Sequence, residues 1–200
     1  PAFAKGARPK LRFLPDSKWQ DAIYDSSDPS PKFVFRDQAL SQPMKTKERA
    51  QALSLAAQPF SELLGPSTVE DLLAWVEAEL GDAAALDQWI RHGQAQTKAL
   101  APQSILHVFK SNTPHAALHS LIGGLLLGAH NRVKLPSSGL AEVEEFMAGL
   151  PEALRRLVVT AGELDRTWLT SSDAVVAYGS EESIAKLRLI VPSGRIFLGH

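Results

Sequence analysis

Four short segments, each following an apolar stretch, carry the polar and glycine residues best suited to binding a ligand. These segments are 110–114, 134–138, 160–162 and 178–180. If the apolar stretches are parallel strands, the four segments meet at the carboxyl edge of one sheet, where ligands bind in open α/β folds. Neither a GxGxxG nor a Walker sequence is present, so the ordinary nucleotide-binding fingerprints are missing.

Two side chains in these segments offer hydrogen-bond donors to a ligand. The amide of Asn112 can stabilise an oxyanion that develops during acyl transfer, or it can cap the helix that we expect to begin at Pro114. The ammonium group of Lys134 can bind a ribose hydroxyl or a phosphate, or it can simply be solvated at the surface. The residue types alone leave these alternatives open.

Gly179 and Ser180 join an apolar stretch to a predicted helix. A glycine there lets a phosphate approach the backbone, and the positive end of the helix attracts anions. Ser180 can also serve as an ordinary N-cap, and the two roles are compatible. Glu181 and Glu182 suit the helix dipole but would weaken phosphate binding if they faced the ligand.

The sequence supports neither a metal site nor a familiar catalytic nucleophile. His115 and His119 are four residues apart on a predicted helix and could share a metal, but no third ligand is evident, so we predict none. The chain has no cysteine, which excludes internal disulfides, cysteine-ligated zinc, iron–sulfur clusters and a cysteine nucleophile. No GxSxG elbow is present to support a serine nucleophile.

The elements that must position these residues alternate between strand and helix from residue 104 onward. Apolar stretches predict five strands, at 104–109, 130–135, 156–160, 173–178 and 195–198. Helices are predicted between them, at 114–128, 140–150 and 181–190. Such alternation predicts an α/β fold with a mostly parallel, Rossmann-like sheet flanked by helices.

The first hundred residues have a different composition. Prolines concentrate in residues 1–44, and strand-like residues lie between them at 32–36, so we predict an extended arm with one or two short strands. Residues 45–93 favour helices. We therefore divide the chain into 1–99, an N-terminal arm and helical region, and 100–200, the Rossmann-like part.

Three helices are predicted within the helical region. The first ends at Pro59, because proline cannot continue a helix interior. The second follows a capping-box sequence at 67–70 and ends at Gly81. The third has Asp82 as its cap and ends near Gly93.

The overall composition excludes several classes of function. Of 200 residues, 21 are Lys or Arg and 22 are Asp or Glu, so the chain lacks the basic excess of a nucleic-acid-binding protein. The longest apolar stretch, 116–129, is too short to span a membrane, which takes about 20 residues. No secretory signal is visible near residue 1, and we expect a cytoplasmic protein with a sizeable core.

Three sequence blocks, read in order, resemble the aldehyde dehydrogenase superfamily. They are HVFKSNTP at 107–114, GAHNRVKLPS at 128–137 and DAVVAYGS at 173–180. Their order and spacing are most similar to those of the bacterial acyl-CoA (long-chain fatty acid) reductases of the luminescence type. The resemblance covers residues 100–200 and implies the cofactor-binding domain of that fold.

The resemblance assigns roles to the same residues. It implies that Asn112 stabilises the oxyanion and that Lys134, Ser137, Gly179 and Ser180 bind the cofactor. NAD-preferring relatives often carry a glutamate where this chain has Ser137, and a small neutral residue beside Lys134 favours NADP(H). Ordinary turn chemistry is the alternative reason for a serine at this position.

The family's activity is the NADPH-dependent reduction of a fatty acyl thioester, such as an acyl-CoA, to an aldehyde, with a cysteine thiolate that takes the acyl group. Because this chain has no cysteine, the resemblance implies a truncated, N-terminal portion of such an enzyme that is inactive alone. One alternative is a non-catalytic relative that binds a nucleotide or a protein. Another is part of a different acylating dehydrogenase, such as a glutamyl-phosphate reductase-like enzyme. The sequence is also compatible with a homo-oligomer.

Overall fold

The structure of the chain is a computed structural model, which describes residues 44–200. The extended arm predicted within residues 1–44, with its strand at 32–36, lies outside the described residues. The division of the chain into 1–99 and 100–200 stays a prediction.

Helices precede the central sheet, as predicted. Their bounds are α1 Thr46–Ala57, α2 Ser61–Leu64 and α3 Val69–Leu80. Pro59 ends α1 by forming a 3-10 turn, and Gly81, with a φ of 83°, ends α3. The capping box is shifted by one residue from its predicted place, because Thr68 rather than Ser67 is the N-cap and exchanges hydrogen bonds with Asp71.

The third predicted helix, from Asp82 to Gly93, is wrong. Asp82 accepts a hydrogen bond from the Ala84 N–H at 2.7 Å and begins a series of turns. An antiparallel hairpin follows, with β1 at Ile90–His92 and β2 at Ala95–Thr97. Gly93 has a φ of 65° in the two-residue turn between these strands, a conformation that favours a hairpin over a continued helix.

Within residues 44–200, five parallel strands form the central sheet, which confirms the predicted fold class. In chain order they are β3 Ser104–Val108, β4 His130–Lys134, β5 Val158–Ala161, β6 Ala174–Ala177 and β7 Ile196–Gly199. Their spatial order is β5–β4–β3–β6–β7, and each neighbouring pair is parallel. Successive strands β4 and β5 are therefore added on one side of β3. The chain then crosses back and adds β6 and β7 on the other side.

Helices connect the strands on both faces of this sheet. They are α4 Pro114–Leu126, α5 Ala141–Gly149, α6 Glu152–Arg155, α7 Arg166–Ser171 and α8 Glu181–Ile190. Helices α1, α3, α4 and α5 pack with Phe109 and Val133, whereas α7 and α8 pack with Leu106 and Val175 of the opposite face. Periodicity does not predict α6 and α7, because four and six residues cover less than two turns. Among residues 44–200, no helix is long and apolar enough to cross a membrane.

A buried polar cluster joins β3, β4 and α4. The imidazole of His107, which is 1 % exposed, lies 2.8 Å from Ser120 Oγ and 2.9 Å from Asn131 Oδ1. The Asn131 amide nitrogen donates to the Ala129 carbonyl, so Oδ1 is the acceptor that faces the ring and Nε2 carries the imidazole proton. A Cβ on Gly124 would overlap Asn131 Oδ1, so this close approach requires a glycine.

The side chain of Arg49 joins α1 to the end of α4. Its Nε donates to the Leu126 carbonyl at 2.8 Å, and its other nitrogens donate to Thr46 Oγ1 and to the Met44 carbonyl. The Asp87 carboxylate lies 3.9 Å from the guanidinium group and also accepts from the Thr46 N–H. This network fixes the helical region against α4, the helix that follows the first strand of the sheet.

Candidate functional site

The direction in which the sheet grows reverses between β3 and β6. The connections from β3 to β4 and from β4 to β5 place their helices on one face, whereas α7 and α8 pack on the opposite face as the chain returns. At such a switch point the loops after the two adjacent strands diverge and leave a crevice at the carboxyl edge. The loops after these two strands are 109–113 and 178–180, and we refer to the carboxyl edge between them as the crevice.

The strand register brings the predicted segments to this edge. Val108 pairs with Lys134 on one side and with Ala177 on the other. The Phe109 N–H donates to the Lys134 carbonyl at 3.0 Å, and the Tyr178 N–H donates to the Val108 carbonyl at 2.9 Å. With neighbouring strands about 4.8 Å apart, the Cα atoms of Lys134 and Ala177 lie about 10 Å apart across the edge. The segment after β5 is the farthest from the crevice.

Asn112 lies exposed in the turn between β3 and α4. The N-cap of α4 is Thr113, so Asn112 does not take the capping role that its residue type also allowed. The Asn112 amide makes no hydrogen bond to another residue in the part of the chain that the structure describes. It is therefore available to a ligand in the crevice beside β3.

Lys134 ends β4 as a half-buried residue, and its ammonium group forms no ion pair with any residue in 44–200. Ser137 is exposed in the following turn, which closes where the Gly139 N–H donates to the Pro136 carbonyl at 2.9 Å. Gly139 has a φ of 72°, which a glycine adopts at little cost. The turn uses backbone atoms, and the role of the Ser137 hydroxyl stays a prediction.

The turn after β6 is already hydrogen-bonded within the protein. Ser180 is the N-cap of α8, and its Oγ accepts from the Ser183 N–H at 3.3 Å. The Gly179 N–H donates to the His200 carbonyl at 3.1 Å and is not open to a phosphate. A Cβ at Gly179 would lie 3.4 Å from the Ser183 Cβ, an ordinary contact. Neighbouring side chains therefore do not require a glycine here.

Two acids occupy the first turn of α8, beside the crevice. Glu181 and Glu182 are both exposed. The Glu182 carboxylate forms an ion pair with Lys186 at 2.7 Å, one turn further along the helix. Part of this negative charge is thereby compensated along the helix rather than at its N-terminus.

A row of aromatic rings lies at the carboxyl edge of the sheet, and the residue types and spacing considered above do not predict it. The rings of Phe109 and Tyr178 are 6.0 Å apart, and Tyr178 stacks on His200 at 5.1 Å. Phe109 is buried and Tyr178 is half-buried. Each of the three residues directly follows a strand, which is the signal that could have identified them.

His115 and His119 lie together on α4, with ring centroids 4.6 Å apart. Partial burial and the neighbouring His115 lower the pKa of His119. Within residues 44–200, no group of three metal-ligating side chains is present. The His119 ring also packs near Trp75 of α3, with 6.1 Å between the ring centroids.

Comparison with known proteins gives one family match. The family model described as acyl-CoA reductase (LuxC) matches residues 35–200. The matched range contains all of the described residues, and with them the sheet, the crevice and every predicted site residue. No curated protein matches the chain.

The chain is similar to several solved structures at low sequence identity. A NAD-dependent benzaldehyde dehydrogenase from Corynebacterium glutamicum has a TM-score of 0.50 and 13% identity, over 78% of this chain and 42% of its own. The gamma-glutamyl phosphate reductase from Thermotoga maritima has a TM-score of 0.46 and 12% identity, over 77% and 48%. A 3,6-anhydro-L-galactose dehydrogenase in complex with NAP has a TM-score of 0.46 and 18% identity, over 80% and 39%. The chain therefore spans less than half the length of each of these proteins.

Proposed function

The chain belongs to the acyl-CoA reductase (LuxC) family, and on that premise we propose that it is the cofactor-binding portion of an NADP(H)-dependent acyl-CoA reductase. The reaction consumes a fatty acyl thioester, NADPH and a proton, and it yields an aldehyde, the free thiol and NADP⁺. The nicotinamide, when bound, supplies the reducing equivalent, and the residues of this chain bind and orient the reactants. The observation that carries the proposal is that the loop of Asn112 and the end of β4 at Lys134 share one edge of the sheet, at its switch point.

Asn112 stabilises the acyl oxygen in this proposal. When the thioester carbonyl is attacked, negative charge develops on its oxygen, and a positioned amide N–H lowers the energy of that state. The Asn112 amide is exposed beside the crevice, and no other described residue competes for it through a hydrogen bond. Loss of one such donor typically lowers kcat by about 100- to 1,000-fold.

Lys134 and Ser137 suit the 2′-phosphate of NADP(H). The ammonium group at the end of β4 supplies a positive charge, and the turn 136–139 contains no carboxylate that would repel a phosphate. The carboxylate of Glu144 does approach this turn, because its Oε1 would lie 3.3 Å from a Cβ on Gly139. The preference for NADP(H) over NAD(H) therefore depends on Lys134.

The turn of Gly179 and Ser180 contributes a helix N-terminus rather than particular hydrogen-bond donors. The Gly179 N–H and the Ser183 N–H are both engaged within the protein. What the turn offers a phosphate is the partial positive charge at the start of α8. Glu181 works against that charge, so we assign this turn the smaller share of the binding.

The test is to titrate the purified chain with NADPH and with NADH, and then to supply an acyl-CoA. We expect NADPH to bind, more tightly than NADH, and we expect no aldehyde, because the chain has no cysteine nucleophile. Turnover by the chain alone would show that the nucleophile is another residue. Failure to bind NADPH would reject the proposal and favour a relative that binds a protein instead.

A further inference from the structure

Strand β7 forms one edge of the central sheet, and no other strand of residues 44–200 pairs with its outer side. The Ile196 N–H and the His200 N–H donate to backbone carbonyls on the side of β6, at 3.1 and 2.9 Å. Phe197 and Gly199 alternate with such residues, so their N–H and carbonyl groups point away from β6. Unpaired backbone groups of this kind form a template for one further strand.

A groove of about 550 Å³ lies between β7 and α8. The residues that α8 contributes form one stripe along the helix: Glu181, Ile184, Ala185 and Arg188. The helix approaches the strand so closely that a Cβ on Gly199 would lie 2.5 Å from the Ile184 side chain. Further along the groove, the Arg188 guanidinium group lies 5.2 Å from the centre of the Phe197 ring. The groove thus has small and apolar residues at its middle and charges of opposite sign toward its two ends.

The face of β7 that points away from α8 is apolar and exposed. Side chains alternate along a strand, and Phe197 packs with Leu187 of α8, so Ile196 and Leu198 project from the opposite face. Ile196 is 55 % exposed and Leu198 is 50 % exposed. Exposed apolar side chains along an unpaired edge strand are typical of an interaction surface.

The charges of α8 make its groove-facing stripe complementary to an antiparallel copy of itself. Glu181 lies in the first turn and Arg188 in the last, and neither forms an ion pair with another residue in the described part of the chain. They are about 10 Å apart along the helix axis, which is too far for them to pair with each other. A second α8 that runs in the opposite direction would bring an arginine to each glutamate.

A two-fold axis that passes through Leu198, normal to the sheet, joins two copies of β7 as antiparallel neighbours. Phe197 then lies opposite the partner's Gly199, and each such pair exchanges two backbone hydrogen bonds. The two Leu198 residues meet on the axis with their Cα atoms about 4.5 Å apart. Because α8 packs on both β6 and β7, its axis lies between these strands, and the two copies of α8 lie about 10 Å apart. This spacing is that of packed helices.

The same axis passes the middle of α8. Gly199 lies next to Ile184, and Phe197 lies next to Arg188, so Leu198 is level with the centre of the helix. Glu181 and the partner's Arg188 are then about 5 Å apart along the helix axes, a distance that the two side chains can span. One arrangement therefore satisfies the backbone groups of β7, the apolar Leu198 and the charges of α8.

We propose that a second copy of this chain binds along the edge of β7 and forms a two-fold dimer in which the two sheets are continuous. A second copy is the occupant because the charges of α8 match those of an antiparallel α8, and because one surface meets itself about a two-fold axis. The inference does not depend on the proposed cofactor or substrate, since neither Asn112 nor Lys134 contributes to the contact.

Crosslinking through an introduced thiol tests the position of the axis. The chain has no cysteine, so the thiol of Leu198→Cys reports only on its own surroundings. In the dimer its two copies lie about 4.5 Å apart between Cα atoms, within the range of a disulfide, so mild oxidation should crosslink most chains on a non-reducing gel. Ile196→Cys and Val159→Cys are the controls and should not crosslink. The two copies of residue 196 would be about 14 Å apart, and Val159 is exposed on the opposite edge strand, β5.

Sedimentation equilibrium of the purified chain measures the dissociation constant of the dimer. Leu198→Lys should raise this constant at least about tenfold, because it replaces an apolar contact on the axis by two like charges. Val159→Lys makes a similar change on the other edge strand and should leave the constant unchanged. Both positions are about half exposed, so neither substitution buries a charge within one chain.

Charge reversal tests the contact between the two copies of α8. Arg188→Glu and Glu181→Arg should each raise the dissociation constant about tenfold, since the dimer contains the ion pair twice. The double variant that carries both substitutions should restore dimerisation, because each new charge again meets its opposite in the partner. A loss of helix stability alone would not produce this recovery.

A wild-type chain that stays monomeric would reject the inference and leave the edge of β7 to a strand of a different protein. A dimer that Leu198→Lys leaves intact would also reject it, since assembly would then use another surface. Equal crosslinking of Leu198→Cys and Ile196→Cys would reject the axis at Leu198. A double charge variant that dimerises no better than the single variants would reject the contact between the helices.

Discussion

Lys134 is the residue on which the cofactor preference depends. A charge-assisted hydrogen bond from its ammonium group to a 2′-phosphate contributes roughly 1.5–3 kcal/mol. Lys134→Ala should therefore weaken NADP(H) binding about 10- to 150-fold, and it should weaken NAD(H) binding less, because NAD(H) lacks that phosphate. Titration calorimetry with both nucleotides on the wild type and the variant measures the difference.

The matched control for this prediction is Lys47→Ala. Lys47 is exposed in the first turn of α1 and belongs to none of the segments at the carboxyl edge, so its loss should leave both nucleotide affinities nearly unchanged. An unchanged NADP(H) affinity in Lys134→Ala would remove Lys134 from the site. Equal wild-type affinities for NADP(H) and NAD(H) would remove the argument from Ser137.

The buried imidazole of His107 predicts a loss of stability in mild acid. Burial lowers its pKa to about 4, although the hydrogen bond with Asn131 favours the charged form. The unfolded chain titrates near the ordinary pKa of about 6.5, so between these values the unfolded state binds more protons. The free energy of unfolding therefore falls as the pH falls from about 6.5 to about 4, by roughly 3 kcal/mol in total.

Urea denaturation of the wild type and of His107→Gln, at about pH 7 and about pH 4.5, isolates this contribution. The variant should be less stable near pH 7, because Ser120 and Asn131 lose their buried partner. Its stability should fall less than that of the wild type between the two pH values, since all other ionisable groups are shared. An equally steep fall in both proteins would show that His107 does not cause the loss.

At the scale of elements, the contact between α1 and α4 depends on Arg49. Arg49→Met keeps an apolar side chain but leaves the Leu126 carbonyl without its buried donor, so the free energy of unfolding should fall by roughly 1–3 kcal/mol. Chemical denaturation measures this loss. Arg155→Met, which breaks an exposed ion pair with Glu152, is the control and should cost at most about 1 kcal/mol. Equal losses in the two variants would contradict the structural role of Arg49.

The helices and strands could be predicted where apolar periodicity agrees with the positions of helix caps, glycines and prolines. All five strands of the sheet follow from short apolar stretches bounded by polar residues, and α3 follows from its cap and from Gly81. The helix prediction for residues 82–93 is wrong because the helical spacing of Leu86, Trp89 and Ile90 extends over too few turns. The local preferences of Asp82 for a turn and of Gly93 for a positive φ outweigh it there.

At the scale of the whole molecule, the place of the site depends on strand order, which the sequence does not specify. The polar segments can be identified along the chain. The sequence does not indicate that β6 lies beside β3 while β5 lies two strands away. Right-handed connections restrict the possible orders without selecting one. The observed order places the loop of Gly179 next to that of Asn112 and brings Tyr178 against Phe109, a contact between residues far apart in sequence.

The binding of a nucleotide at the switch-point crevice is the central claim, and mapping of amide chemical shifts in the isotopically labelled chain tests it most directly. On addition of NADPH, we predict the largest shifts in residues 109–113, 134–138 and 178–180. Shifts should be small at the opposite edge of the sheet, where the Asp173 carboxylate accepts from the Ser104 N–H. Largest shifts at that opposite edge, or no shifts on addition of NADPH, would contradict a nucleotide site at the crevice.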